Sequence, residues 1–384
     1  MGVYEDLGIR RVINGSGPMT HLGGSIPDPR VMDAMKEASQ SFIVMMELIE
    51  KAGKIIAEAT GAEAGLVTSG ASAAMVLAAA ACLMKDSELE KYDVHPFEKI
   101  NFDQDWRAII QKLPVTDSMR NEFIIQRKHR NAYEHAYVVA GGKLVEVGTD
   151  RGCTVEEIEK AIGPKTIALV FTAKEENMGV PLASLVDLGK KHHLLTIVDA
   201  AAELPPRSNL KKYIAEGADL VVYSGGKMIG GPNGTGMLCG RRDLIKLATL
   251  QSAPYRGIGR GMKVDRNQII GFITALKLWL ARDEAAEIED WKAKSVKISS
   301  AVKELPKVEN SKSVVDEKLR GVQTIISLKK NHGVSAPQIV FDLRKGNPSI
   351  WLNVIDDSNI GISTTLLKNG EEQTIILALK EKLS

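Results

Sequence analysis

The sequence predicts an α/β protein with a seven-stranded, mainly parallel sheet, helices on both faces, and a small C-terminal α+β domain. Three observations carry this. Short apolar runs near 65–68, 122–126, 143–147, 166–171, 194–198, 219–223 and 236–240 are mostly separated by helical stretches, the alternation of a largely parallel sheet. Two of those runs end in functional-looking residues, Asp199 in LLTIVDAAAELPP and Lys227 in DLVVYSGGKMIGGPNGTG. After about residue 306 the rhythm changes to QTIISL, QIVFDL, IWLNVI and a closing helical QTIILALKEKL.

Taken in order, residues 1–30 are rich in Gly and Pro (INGSGPMTHLGGSIPDP) and read as irregular backbone. Pro29–Leu48 has helical periodicity, and Glu47–Thr60 continues it to a stop at Gly61. Residues 1–48 are expected to pack with the small domain. The large α/β domain spans 49–262, with a helical insertion at about 84–120 that holds DVHPFEKINFDQDW and is expected at a subunit contact or as a lid. Val264–Leu305 reads as one long amphipathic connecting helix, so 263–384 form that helix and the small domain.

The 384 residues are 44% hydrophobic and 26% charged, with a net charge of +2. This is ordinary globular composition. It shows no basic tail or basic–aromatic stripe, so no nucleic-acid partner is implied. The most apolar stretch, Gly65–Met84, is rich in alanine and carries Ser, Thr and Gly, so no membrane partner is implied either. The segment after Met1 lacks a signal-peptide core. Cys82, Cys153 and Cys239 are too few and too widely spaced for a disulfide framework or a zinc site. A cytoplasmic protein without a metal is the expectation.

The chemistry begins at Lys227. An apolar strand stops at Tyr223, and Ser224, two glycines and the lysine follow. Asp199 lies one βαβ unit upstream, which puts both groups at the carboxyl edge of one parallel sheet, where such sheets bind ligands. A Schiff-base lysine and an aspartate for a pyridinium nitrogen are the fixed requirements of a pyridoxal 5'-phosphate (PLP) site. A second anchor, Ser69–Gly70–Ala71–Ser72, follows the first strand and opens an alanine-rich helix, whose free N–H groups suit a phosphate. Ser224 could serve the same phosphate. The plain alternative for that turn is an N-cap serine.

A third anchor is His129, just past the strand Glu122–Gln126, as the flat side chain that stacks on the cofactor ring. Tyr133 and His135 are weaker choices for that role. Arg256 and Arg260 lie among glycines in YRGIGRG and suit a substrate carboxylate or phosphate. They read equally as solvent or inter-subunit arginines. His21, in PMTHLGGS, either lines the site or caps a turn. No H-E-x-x-H, C-x-x-C or P-loop is present, and GGPNGTG leads into a strand, unlike a dinucleotide-binding turn.

Together, INGSGPMTHLGGS, VTSGASAAMVLAAAACL, GGKLVEVGT, IVDAAAELPP, SGGKMIGGPNGTG and GRGMKV resemble the selenocysteine synthase-like group of fold-type I PLP enzymes, which includes D-glucosaminate-6-phosphate ammonia lyase. The resemblance spans nearly the whole chain. It implies Lys227 as the cofactor lysine, Asp199 on the pyridine nitrogen, Ser69–Ser72 and Ser224 as the phosphate cup, and His129 as the stacking residue. It also implies a homodimer or larger homo-oligomer. The tRNA-binding N-terminal domain of true selenocysteine synthases is expected to be missing.

The expected activity is a lyase acting on an amino acid or amino-sugar acid. Lys227 would abstract the α-proton, and elimination would give a 2-oxo acid and ammonia. A γ-lyase, aldolase or racemase would use the same site. A selenium transferase-like or RNA-binding role, or a non-catalytic scaffold, are the readings from other classes.

Overall fold

The computed structural model describes residues 2–94, 108–316, 321–330 and 333–384. In chain order the elements begin with β1 (Val12–Asn14), α1 (Pro29–Ala38), α2 (Met45–Thr60), β2 (Ala64–Thr68) and α3 (Ala71–Met84). Next come β3 (Glu122–Gln126), α4 (His135–Val139), β4 (Lys143–Val147), α5 (Val155–Ala161), β5 (Thr166–Thr172) and α6 (Leu182–His192). Then follow β6 (Leu195–Asp199), α7 (Asn209–Ala215), β7 (Leu220–Ser224), β8 (Gly236–Gly240), α8 (Arg242–Gln251) and α9 (Arg266–Ala281). The chain ends with α10 (Glu284–Val302), β9 (Val308–Val315), β10 (Val322–Leu328), α11 (Ala336–Lys345), β11 (Ser349–Trp351), β12 (Asn353–Asp356), β13 (Asn359–Ser363) and α12 (Glu371–Leu383).

The larger compact unit is Ile26–Leu280. Its sheet has the order β2-β8-β7-β6-β5-β3-β4. All neighbours are parallel except β8, which runs antiparallel to both β2 and β7. The seven predicted strands are these seven. Alternation along each strand feeds two cores, one per face. Phe123, Ile125, Ala168, Val170, Ile197, Leu220, Val222 and Leu238 join one, with α3, α4 and α8. Ile124, Leu169, Phe171, Val198, Val221, Tyr223, Met237 and Cys239 join the other, with α1, α2, α5, α6, α7 and α9. Helix α3 is buried on every side from Ala73 to Met84. A helix that is apolar all round belongs in a core, and alanine's high helix propensity sustains it.

The smaller unit is Met1–Ser25 with Ala281–Ser384. It has an antiparallel sheet β12-β13-β10-β9 and a parallel pair β1-β11. Ile298, Ile326, Ile339, Ile360 and Ile375 are among its core residues.

Three expectations on boundaries change. Pro29–Thr60 is two helices, because the guanidinium of Arg266 donates to the carbonyls of Ala38 and Ser39 at 3.0 and 2.9 Å and so ends α1. The long helix 264–305 breaks after Ala281, where the Asp283 carboxylate accepts from the Ala286 N–H at 3.1 Å and starts a new helix. The units therefore divide at 25/26 and 280/281 instead of at 48 and 263, since Val31 of α1 and Ile269, Phe272 and Ile273 of α9 are core residues of the large unit. Of the expected insertion, residues 95–107 lie outside the described residues, so the lid or contact reading lies there too. Its flanks do not: Leu89 and Ile110 are fully buried in the α3 core. No helix among the described residues is long and apolar enough to cross a membrane.

Gly236 is a tight junction between sheet and site. Its Cα lies so close to the start of α3 that a Cβ would meet Gly70 C at 2.6 Å, Ala71 N at 2.8 Å and Tyr223 O at 2.9 Å. All three are backbone atoms and cannot swing away. Gly236→Ala should cost about 1–3 kcal/mol by overpacking, read as a lower urea midpoint with an unchanged slope. An unchanged midpoint would show that α3 is free to slide.

Candidate active site at the carboxyl edge of the large sheet

The carboxyl ends of β2, β3, β5, β6 and β7 share one edge of the sheet, and the sequence puts its polar groups there. Asp199 is the last residue of β6 and Ser224 the last of β7. The strands pair in parallel through Asp199 and Val222, and the Ala200 N–H extends the ladder to the Val222 carbonyl at 3.0 Å. The loop carrying Lys227 is closed by backbone bonds, Gly225 N–H to Thr235 O at 2.9 Å and Gly231 N–H to Gly225 O at 2.9 Å. It is therefore a fixed hairpin, despite its glycines. Thr68 pairs with Gly236 and Gly236 with Ser224, which sets the turn before α3 beside the Lys227 hairpin.

Asp199 is half-buried, and its Oδ1 accepts from the Ala201 N–H at 3.1 Å. Burial raises its carboxyl above the usual range, opposed by the Ala201 N–H and by the charge of Lys227. Lys227 is also half-buried. Burial lowers its amine below the usual lysine value, opposed by the charges of Asp199 and Glu203 and aided by Lys174. Loss of solvation disfavours both charges, and each group pulls the other back toward its ionised form.

The turn before α3 is open. Gly70 has φ +99°, which favours glycine, and no side chain caps the helix. Ser72 is exposed at the first turn, while Ser224 is half-buried. Ser69 differs from the expectation of a free donor. Its Oγ already donates to the Met262 carbonyl at 2.9 Å, so it tethers the turn to the segment holding Arg260. A cavity of about 410 Å³ here is lined by Ser69, Ser72, Tyr133, His135 and Met262, among others.

His129 also departs from expectation. It is 0% exposed, so no ring face is open for stacking in this structure. Its Nδ1 accepts from the Thr172 N–H at 3.1 Å, and its Nε2 lies 2.8 Å from the Met178 carbonyl, so Nε2 carries the proton. The ring meets Phe171 edge-on at 4.8 Å. His129 thus ties the end of β3 to the end of β5. Arg256 and Arg260 are exposed on the segment after α8. His21 belongs to the smaller unit, where its ring meets Trp351 at 5.5 Å.

Sequence reading missed Glu203, a glutamate only 1% exposed in the turn after Asp199. It was visible in DAAAELPP, but its burial is tertiary and leaves no local signal. No group of three His, Cys, Asp or Glu side chains suited to a metal is found among the described residues.

The residues present fit PLP. A desolvated amine, a half-buried carboxylate on the adjacent strand end and an uncapped helix N-terminus with a serine hydroxyl are the donor set that cofactor needs. The comparisons with known proteins agree. The family description "SelA: L-seryl-tRNA selenium transferase" matches residues 136–292. A 5'-C-glycyluridine monooxygenase-decarboxylase of Streptomyces sp is 29% identical over 99% of this chain and 92% of its own length. A D-glucosaminate-6-phosphate ammonia lyase of Salmonella typhimurium is 33% identical over 72% of this chain and 69% of its own. A solved structure of D-glucosaminate-6-phosphate ammonia-lyase superposes with a TM-score of 0.83 at 28% identity, covering 99% of this chain and 98% of that one.

Fold, site and relatives define a fold-type I PLP-dependent enzyme of the selenocysteine synthase-like group. Within that group the chain belongs to the family of D-glucosaminate-6-phosphate ammonia lyase.

His129→Ala should cost about 2–3 kcal/mol, because it strands the Thr172 N–H and the Met178 carbonyl. The pH dependence has a definite sign. Burial holds the His129 pKa below its ordinary value, so the neutral ring stabilises the fold fully above about pH 6.5. That contribution is lost as pH falls from there through the depressed folded value. Denaturation of wild type and His129→Asn at pH 8 and pH 5.5 should show a smaller acid loss in the variant. Equal losses would mean that other groups carry the slope.

Proposed function

We propose that the protein is a PLP-dependent ammonia lyase acting on a 2-amino-3-hydroxy acid of the amino-sugar-acid type. The observation that carries this is Lys227 beside Asp199 on adjacent strand ends, in a chain whose relative of 33% identity is such a lyase. PLP, when bound, supplies an electron sink for the pair left when a proton leaves the carbon bearing the amine.

The chain's residues do the rest. Asp199 holds a proton on the ring nitrogen. Ser72, Ser224 and the N–H groups opening α3 hold the phosphate, and Ser69 fixes the turn. Burial pulls the Lys227 amine below its ordinary value, toward the free base that would take the α-proton, a transfer worth about 10²–10⁴-fold. That proton then leaves with the β-hydroxyl as water. Hydrolysis of the resulting enamine returns the water and gives a 2-oxo acid and ammonia, so atoms balance. Arg260, two residues before the Met262 that Ser69 tethers, and Arg256 are proposed to hold the substrate's carboxylate or phosphate.

The near full-length likeness to the monooxygenase-decarboxylase favours one second reading, an oxygen-dependent decarboxylation at the same site. We propose further that the enzyme is a homodimer. Phe42 is 98% exposed, with Met32, Ile43 and Val44 about half exposed near it in sequence, an apolar surface of the kind that marks an interface.

Borohydride reduction of the purified protein should fix the cofactor's mass on the peptide holding Lys227, and Lys227→Ala should lose the cofactor's visible absorbance. Attachment to another lysine would overturn the assignment. A panel of D- and L-hydroxyamino acids and phosphorylated amino-sugar acids should yield equal amounts of 2-oxo acid and ammonia without oxygen uptake. Oxygen consumed with carbon dioxide released would select the second reading. Mass photometry should report twice the chain mass, and an active monomer would sink the dimer.

A further inference from the structure

The amino edge of the large sheet, opposite the candidate active site, carries a second cavity that the reaction does not use. It measures about 460 Å³, within the size range of small-molecule sites. Strand β6 runs from this cavity to the active edge. Leu195 lines the cavity, and Asp199 ends the strand four residues later, about 13 Å away at the usual rise of a strand.

Lys85, Arg120, Lys190 and Arg241 line the cavity, against Asp86 and Asp219. Both acids are already matched. The Asp219 Oδ2 accepts from the Thr196 N–H at 2.8 Å, and its Oδ1 from the Arg241 guanidinium at 3.0 Å. Asp86 lies 3.9 Å from the Lys85 amine. Two of the cations are matched as well, since Arg241 also pairs with Asp243 at 2.7 Å and Lys85 with Glu90. The other two have no carboxylate partner among the described residues. Arg120 gives its Nε and Nη2 to the Thr166 carbonyl at 2.9 and 2.6 Å, which fixes the guanidinium and leaves Nη1 unused. Lys190 makes no hydrogen bond or ion pair among the described residues. Its Nζ stands beside Gly217, where a Cβ would lie 3.8 Å from it.

A lysine in the last turn of α6 suits the helix dipole. That explains Lys190, but neither the cavity nor Arg120, which lies on no helix. A cationic ligand would find no unmatched acid here, and a neutral one would leave both cations unpaired. A phosphate monoester carries close to two negative charges near neutral pH, and its oxygens suit a guanidinium. The apolar side chains of Ile167, Val186, Leu194 and Leu195 line the same cavity and suit a short carbon chain.

We propose that this cavity binds a small organic phosphate, with Arg120 and Lys190 on the phosphate and the four apolar side chains on its carbon chain. The site is separate from the active edge, and the proposal does not rest on the reading of Lys227.

The test is trace acetylation of the holoenzyme with acetic anhydride, read by mass spectrometry at Lys190. Butyl phosphate is the probe, at constant ionic strength, with cofactor already filling the phosphate turn of the other edge. Labelling of Lys190 should fall saturably while that of exposed Lys54 stays level. Arg120→Gln should raise the concentration for half-protection about tenfold, and Arg260→Ala should leave it unchanged. Inorganic phosphate should need about tenfold more than butyl phosphate, because it leaves the apolar lining uncovered. Full labelling of Lys190 at about 10 mM probe, far above a millimolar Kd, would overturn the proposal. So would an equal fall at Lys54, wild-type protection in Arg120→Gln, loss of protection in Arg260→Ala, or equal potency of inorganic phosphate. The cofactor's visible absorbance reports that each variant is folded. Should Arg120→Gln fail to fold, Lys190→Gln at its exposed position is titrated by calorimetry. It should bind butyl phosphate about tenfold more weakly, and wild-type affinity would overturn the proposal.

Discussion

The parallel pairing of β6 with β7, and the antiparallel seat of β8 between β7 and β2, is the constraint on which the site depends. Ile197 faces Leu220, Val198 faces Val221 and Asp199 faces Val222. On the other side Ser224 and Thr68 both face Gly236. A slip of one residue in either pairing would turn every side chain to the opposite face and exchange the two cores. The same register fixes where β6 and β7 end, and so where Asp199, the Glu203 turn and the Lys227 hairpin begin. It also fixes the seat of α3, whose first peptide crosses Gly236 with no room for a side chain.

Energetics divide the molecule along the same line. Between the sheet faces and the helices, burial is almost wholly apolar and favourable. At the carboxyl edge the chain holds Asp199, Glu203 and Lys227 out of full contact with water, which disfavours each charge taken alone. The attraction of the Asp199 carboxylate to Lys227 offsets part of that cost for Asp199, and the Ala201 N–H offsets more. His129 belongs to this supporting frame. With both ring nitrogens satisfied by backbone, it locks β3 to β5 and leaves the reactive groups to the strands beside them.

How much of this was legible follows from the range of each signal. The seven strands and the lone helix-like alanine run are written in local composition, and the structure has them where the sequence puts them. Asp199 and Lys227 were readable because the βαβ spacing converts a distance along the chain into a shared sheet edge. The break between α1 and α2 was not readable, since Arg266, 228 residues beyond Ala38, caps the first helix. The break after Ala281 was nearer to legible, because Asp283 followed by Glu284 is a helix-start signal hidden inside an apolar periodicity that continues across it. Ser69 and His129 were assigned from their position after a strand end and from the family resemblance. Their hydrogen-bond partners, Met262 and the Thr172 and Met178 backbone, lie 193, 43 and 49 residues away, and no local pattern announces them.

Those long-range partners also explain why the chain states its cofactor more plainly than its substrate. A PLP site needs an amine, a carboxylate and a phosphate turn in one arrangement, and that arrangement is enforced by strand register, which periodic sequence encodes. The proposed substrate anchors, Arg256 and Arg260, stand on an irregular segment that backbone and side-chain bonds hold in place. The Gly259 N–H on the Gln251 carbonyl at 2.9 Å and the Ser69 hydroxyl on Met262 are two of them. The second of these runs from the turn before α3, so the segment bearing Arg260 is positioned by the same residues that open that helix. A shift of the turn on cofactor binding would therefore be felt at the arginine. On the proposed function, substrate anion and cofactor phosphate would then be linked through one serine hydroxyl, with Lys227 on the hairpin beside it.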